Sequence, residues 1–368
     1  MSTKYNAKHI VMFELILLLI LSSVLIKQGL DEEATMYTSM YDSEKSFIKW
    51  VSFDVSEKAM DRAYRYDIDT KDRDVHLDWT QLLAYLGAKY GGDFSRYKEK
   101  HMTEIANKLI SKEETIESLT DGMKYYDYYY EAYSAVLGGM VGEYQIEIKD
   151  ESSPTGKRWE EKYGLKAYLP IAKYYPYSHF DDFGVSRSYG YKRRHLGHDM
   201  MGQVGTPVIA VESGYVEALG WNQYGGWRIG IRSFDKKRYY YYAHLRQNFP
   251  YNKSLNAGSV IQAGDVIGYL GRTGYSSKEN ANNIRTPHLH FGLQLIFDES
   301  QKESVNEIWV DCYDLVLFLY KNRSETVKDP ETKEYHRLYE FVDPIAEEYI
   351  KHQIYKYDDE EIKIHIYE

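Results

Sequence analysis

The sequence predicts an α+β protein with an N-terminal membrane anchor, a helical module, a glycine-rich antiparallel β domain and a C-terminal helical tail. Three observations carry this. An apolar run, IVMFELILLLILSSVLI, fills Ile10–Ile26. Apolar residues then recur at helical spacing as far as about residue 150. Beyond that, short runs rich in Val, Ile and Tyr alternate with recurrent glycines, the texture of strands and turns.

The anchor comes first. Lys4 and Lys8 precede the run, Glu14 interrupts it near its start, and Asp31, Glu32 and Glu33 follow it. A positive flank stays inside, so residues 1–9 are expected in the cytoplasm, residues 10–27 across the membrane and the remainder outside. No small-x-small cleavage site follows the run, which favours an uncleaved anchor over a removed signal peptide.

Residues 28–150 read as a helical extracytoplasmic module. Asp78 with Gln81 resembles a capping box ahead of WTQLLAYLGAKY, and Gly91–Gly92 ends that segment. TEIANKLI and YYDYYYEAYSAVLGGMVGEY continue the helical pattern. Glu131 and Glu143 are the only acid–base candidates there, and each fits a solvated helix face better. Such a module offers a site for a protein partner. Residues 151–184, opening on the polar KDESSPTGKRWEEKYG stretch, read as a linker. Residues 185–300 carry the β texture, and residues 301–368 return to helix from Val310 to Tyr320 before an alternating EIKIHIYE end.

Composition narrows the function. A net charge of −10 with no basic block argues against a nucleic-acid partner. The single cysteine, Cys312, allows no disulfide within the chain. The 39 tyrosines, several in clusters such as Tyr239–Tyr242, suit amphipathic packing or a surface facing sugar or peptide.

The chemistry gathers in the β segment. His195 and Asp199 lie in H-L-G-H-D, His288 and His290 in H-L-H, and His244 between them in A-H-L. Two neutral imidazoles and one carboxylate are a set that zinc accepts, with a fourth position left open for water. In a strand, residues two apart share a face, so His288 and His290 enter one cleft while Leu289 packs behind. A metal ligand and a proton-transfer group then stand side by side. His195 and Asp199, four apart on a glycine-containing turn, converge on the same ion. His9, His76, His101, His179, His336, His352 and His365 lie outside this pattern and read as ordinary core or surface histidines.

Residues 185–295 resemble the lysostaphin-type, or LytM-like, zinc endopeptidases of bacterial cell walls. The resemblance runs through H-L-G-H-D at His195, G-T-P-V-I-A at Gly205, G-Y-V at Gly214 and Y-A-H-L at Tyr242. It continues through A-G-S-V-I-Q-A-G-D-V-I-G at Ala257, G-R-T-G at Gly271 and P-H-L-H-F at Pro287. The resemblance implies a β-sheet groove with one zinc per chain on its floor. It implies His195, Asp199 and His290 as the metal ligands, His244 and His288 as the catalytic pair, and peptidoglycan peptides as substrate. One departure is His198, where the family carries an apolar residue; it competes with His195 for the ligand role.

The expected function is a membrane-anchored zinc metalloendopeptidase, acting outside the cell membrane on peptidoglycan cross-links or stem peptides. His288 is the expected base and His244 the expected oxyanion stabiliser, with the two roles exchangeable on sequence alone. A wall-facing scaffold or activator that holds peptide without cutting it is the alternative. A sugar-binding β domain with incidental histidines is a third, which metal content separates from the others.

Overall fold

The computed structural model describes residues 47–353 apart from Gly190, Glu303 and Val305. Among these, no helix is long and apolar enough to cross a membrane. The Ile10–Ile26 run and the EIKIHIYE end both lie outside the described residues.

The helical part contains α1 (Glu57–Thr70), α2 (Trp79–Tyr90), α3 (Glu99–Ile110), α4 (Ile116–Thr120) and α5 (Tyr126–Leu137). Asp78 caps α2, its Oδ1 accepting from the backbone N–H of Thr80 at 2.6 Å and of Gln81 at 3.1 Å. Gly91, at φ 66°, closes the same helix in the left-handed conformation that glycine adopts without strain. Leu82, Leu83 and Leu86 of α2 and Tyr133 and Val136 of α5 are buried.

Helix does not continue to residue 150. It stops at Leu137, and Val141–Lys149 is strand β1, paired in antiparallel register along its whole length with β2 (Lys157–Leu165). The expected linker is therefore a hairpin whose tip is closed by Asp150 N–H donating to the Gly156 carbonyl at 2.9 Å. The reason is legible afterwards. Tyr144, Ile146 and Ile148 alternate with Glu143, Gln145 and Glu147, a period of two rather than 3.6.

The chain continues through β3 (Ser178–His179), β4 (Ser186–Tyr189), β5 (Tyr191–Arg194), β6 (His198–Met201), β7 (Pro207–Ile209), β8 (Gly214–Asn222), β9 (Gly226–Ser233) and β10 (Arg238–Ala243). It then forms β11 (Val260–Ile261), β12 (Val266–Tyr269), β13 (His288–Leu295) and β14 (Ile308–Val310). Eight of these make one sheet in the order β11-β8-β9-β10-β13-β6-β3, with β14 also on β13. Its named pairs are antiparallel, and β4 with β5 forms a separate hairpin.

The central strands have two chemically distinct faces. Ile229, Ile231, Tyr240, Tyr242, Leu289, Phe291 and Leu293 are buried on one. The register sets His290 opposite Asp199 and Ala243, and Tyr241 opposite Gly230 and Gly292, so these residues share the other face. Tyr239 faces Gln294 on that same side. The tyrosine run thus serves both purposes, alternate rings filling core and cleft.

The C-terminal region is not purely helical. Helix α6 (Tyr313–Leu319) is followed by β15 (Thr326–Lys328), β16 (Tyr335–Arg337) and β17 (Phe341–Val342). Strand β17 pairs with β1, and Phe341 packs against Tyr144 and Tyr168 at ring separations of 5.2 and 5.8 Å. Helix α6 places Phe318 against Trp79 and Tyr64.

Helices and sheet meet at a buried arginine. Arg238 donates to Glu212 Oε2 at 2.7 Å, to Glu212 Oε1 at 3.0 Å and to the α5 carbonyl of Ala135 at 2.8 Å. The Tyr240 hydroxyl donates to the same carboxylate at 2.6 Å. A buried charge pair is tolerable only when its remaining hydrogen-bonding capacity is satisfied, as here.

Candidate metal centre and cleft

His195 lies on the short turn between β5 and β6. Its N–H donates to the Val185 carbonyl at 3.0 Å, and its own carbonyl accepts from Gly184 at 2.7 Å. Its Nδ1 is 3.2 Å from the Asp182 carbonyl and 3.2 Å from Asp182 Oδ1. With a proton directed there, the Nε2 lone pair faces inward.

Three donor atoms then form a tight triangle. His195 Nε2 is 3.1 Å from Asp199 Oδ1 and 3.1 Å from His290 Nδ1, and His290 Nδ1 is 3.0 Å from Asp199 Oδ1. Among the described residues, these three form the group of His, Cys, Asp or Glu side chains arranged to hold a metal ion. Burial alone would raise the Asp199 carboxyl, but the adjoining imidazoles of His195 and His290 hold it well below the usual carboxylate range. Burial lowers the pKa of His290, favouring the neutral ring that a metal requires. Three inward-facing acceptors this close suit a cation between them, and a two-imidazole, one-carboxylate set suits zinc.

The glycine of H-L-G-H-D has a structural task. A Cβ at Gly197 would lie 2.6 Å from both Cε1 and Nε2 of His290 and 2.8 Å from the Phe291 carbonyl oxygen. Only a residue without a side chain lets the turn pass that close to the His290 ring.

His198 leaves the cluster. It follows the alternation of β6 to the opposite face, pairs in register with Phe291, and its Nε2 is 2.8 Å from His179 Nδ1. Tyr313 packs on it, and burial together with His179 lowers its pKa to about 3. His195, not His198, accompanies Asp199 and His290.

His244 and His288 flank the triangle. Their rings are 4.8 Å apart, and His244 is 5.8 Å from the His290 ring. His244 Nδ1 donates to the Thr273 carbonyl at 2.9 Å, and His288 Nδ1 to the Thr286 carbonyl at 2.8 Å. A carbonyl only accepts, so both neutral rings carry their free lone pair on Nε2. His288 Nε2 lies 3.7 Å from Asp199 Oδ1. Burial drives the pKa of His244 well down, with His288 acting in the same direction. His244 also sits at φ 61°, a left-handed conformation that costs a non-glycine residue about 1–3 kcal/mol and concentrates at functional sites. Its N–H donates to the Gly225 carbonyl at 2.7 Å, holding it there.

Two residues at the site carried no distinguishing signal in the sequence. Arg187 Nη1 is 2.9 Å from Asp199 Oδ2, so Asp199 offers Oδ1 to the triangle while Oδ2 is held from behind. The Asp182 carboxylate accepts from Arg187, and its backbone carbonyl faces His195 Nδ1. Nothing in SRSYGYKRR separates Arg187 from its basic neighbours. Two other histidines are accounted for locally: His76 lies 2.9 Å from Asp67, and His101 is 2.7 Å from the Tyr90 hydroxyl. His9 and His365 lie outside the described residues. Glu143 pairs with Lys71, and neither it nor Glu131 lines the cleft.

The cleft above the triangle encloses about 550 Å³. Its walls include Tyr224, Tyr239, Tyr241, Tyr275 and Trp309, with Arg193, Arg194 and Arg228 among them. Aromatic walls with a few convergent polar groups suit an extended peptide.

Comparison with known proteins gives the same region. Residues 193–306 match peptidase family M23. An L-Ala–D-Glu endopeptidase of Bacillus subtilis (strain 168) is 39% identical over 125 residues, covering 34% of this chain and 36% of that protein. Lysostaphin of Staphylococcus simulans is 39% identical over 98 residues, covering 26% of this chain and 17% of lysostaphin. The chain thus spans about a third or less of the length of these relatives. A crystal structure of a lytM protein from Ruminococcus gnavus ATCC 29149 superposes with a TM-score of 0.51 at 23% identity. It covers 75% of this chain and 91% of its own, a likeness of fold.

Proposed function

We propose that the chain, whose residues 193–306 form a peptidase family M23 domain, is a zinc-dependent endopeptidase that hydrolyses peptide bonds of peptidoglycan. The observation that carries this reading is the triangle of His195, Asp199 and His290 on the floor of an aromatic cleft, with His244 and His288 beside it. The relative named as an L-Ala–D-Glu endopeptidase supports a peptide substrate.

In this reading His195, Asp199 and His290 hold one zinc. When bound, zinc supplies Lewis acidity, polarising a carbonyl and lowering the pKa of water toward ~7. The remaining steps belong to the protein. Arg187 and Asp182 fix the orientation of Asp199 and His195. His244 and His288 both present an Nε2 lone pair, so each accepts a proton before it can donate one. One serves as base and the other as oxyanion stabiliser, with the two roles exchangeable. The histidine that takes the proton from the attacking water then presents an Nε2–H to the developing oxyanion or the leaving amine. Tyr241 and Trp309 form the wall against which a peptide lies.

The same reading places the domain outside the cytoplasmic membrane, held by the Ile10–Ile26 run, with Lys4 and Lys8 inside. The protein then fractionates with membranes and resists alkaline carbonate; a soluble chain starting near residue 28 would overturn the anchor.

The test of the activity is digestion of purified peptidoglycan by the full-length protein, with and without chelator, followed by mass analysis. Peptide-cleaved fragments that vanish with chelator are expected. Fragments that persist with chelator contradict zinc dependence. Binding without fragments supports a scaffold or activator.

A further inference from the structure

The cleft carries more positive charge than a metal-holding peptidase floor requires. Strand register pairs Arg187 with Arg193 across the β4–β5 hairpin, so both side chains leave the same face. Arg187 is occupied by Asp199 and Asp182. Among the described residues, Arg193 forms no ion pair with an acid. It donates to the Tyr275 hydroxyl, and its guanidinium stands 4.9 Å from the Tyr275 ring and 5.5 Å from the Tyr224 ring. The Tyr275 ring is in turn 5.6 Å from the His244 ring. One aromatic ring therefore separates Arg193 from the catalytic pair.

Arg228 approaches from the sheet. It lies two residues before Gly230, on the same face of β9 as the Tyr241 and His290 row. Its Nε is buried without a hydrogen-bond partner among the described residues. Gln294, only 2% exposed, lines the same cleft with its Nε2 likewise unpartnered. Arg194 completes the lining.

Three more deeply buried arginines each face an acid. Arg232 meets Glu299 and Glu217, Arg238 meets Glu212, and Arg337 meets Asp265. In a chain of net charge −10, acids are abundant. Yet the cleft acids are committed: Asp199 to the triangle, and Glu307 to the Trp309 indole N–H at 2.8 Å. A buried donor without a partner is costly, and two of them converging on one cleft suit a ligand that brings the acceptor.

We propose that Arg193 and Arg228, with Gln294 and Arg194, form an anion subsite that takes a free carboxylate of the peptide substrate. The favoured substrate is then a wall-peptide segment with an acidic residue beside the scissile bond, and a neutral glycine bridge is a poor one. This rests on the peptidase reading above. A charge-assisted pair in a part-buried cleft distinguishes carboxylate from carboxamide by roughly tenfold or more.

The test separates binding from turnover. Full-length protein, kept in chelator, is titrated calorimetrically with two tetrapeptides that differ only in Glu or Gln at the second position, and with pentaglycine. The Glu peptide is expected to bind about tenfold tighter than either, with the preference shrinking as salt rises. In the Arg193→Gln/Arg228→Gln double variant the preference disappears. Equal affinity for Glu and Gln peptides, or a preference that survives in a folded double variant, overturns the subsite. The salt dependence in the wild-type protein decides the matter even if the variant does not fold. If peptidoglycan is still cut into peptide fragments while the preference is absent, the peptidase reading stands and the subsite falls. A preference without any cutting of peptidoglycan in the absence of chelator removes the peptidase reading and, with it, the placement of the acidic residue beside a scissile bond.

Discussion

His290 faces Asp199 directly across the β6–β13 ladder, with His290 Nδ1 3.0 Å from Asp199 Oδ1. A pair of candidate metal ligands placed on opposed residues of neighbouring strands is positioned by backbone hydrogen bonds rather than by a loop. The third member, His195, arrives on a turn only three residues before β6 begins. The site is therefore as rigid as the sheet that carries it, which is what a preorganised centre needs.

Gly197→Ala tests the close approach behind His290. The added methyl meets the His290 ring at 2.6 Å and must displace it. We expect a folded protein destabilised by about 1–3 kcal/mol with zinc affinity reduced at least about tenfold. Competitive zinc titration and thermal denaturation measure both. Zinc affinity within twofold of wild type would show that the ring has room to adjust.

The catalytic pair separates from the ligands by what each substitution removes. His244→Ala and His288→Ala should keep zinc and lose turnover by roughly 10²-fold or more, the usual worth of acid–base help. His290→Ala should lose both. A His244→Ala enzyme that turns over normally would remove His244 from the mechanism.

His198 is the counter-example built into the same motif. Its ring bonds His179 on the far face of the sheet. His198→Phe is expected to retain full zinc stoichiometry while costing about 1–3 kcal/mol through the His179 nitrogen left unpaired. Elemental analysis showing zinc lost would return His198 to the ligand set.

Arg238 ties helices to sheet. Arg238→Ala leaves the Glu212 carboxylate buried without its partner, and breaking such a pair costs about 3–5 kcal/mol. Chemical denaturation should show one cooperative transition at lower denaturant. A change below ~1 kcal/mol would mean that water replaces the guanidinium.

Much of the site was legible because its chemistry follows periodicity. H-L-H puts two imidazoles on one strand face, and the buried Leu289 between them confirms the alternation. Asp78 and Gly91 mark the ends of one helix by capping chemistry alone. The hairpin at 141–165 escapes a sequence reading because its polar tip, with Pro154 and Gly156, resembles a linker and hides the period-two strands on either side. Arg187 and Asp182 could not be found by spacing. Their role depends on how a hairpin folds over the cleft, a tertiary fact without a local pattern. His198 was ambiguous for the same reason, since a motif string does not say on which residue the strand begins.

The central claim is that His195, Asp199 and His290 together hold one zinc. Zinc content of the purified full-length protein, wild type against Asp199→Ala, tests it most directly. The account predicts about one zinc per wild-type chain and a sharp loss in Asp199→Ala, with the fold retained by circular dichroism. Full zinc occupancy in Asp199→Ala, or catalytically active wild-type protein without zinc, would contradict it.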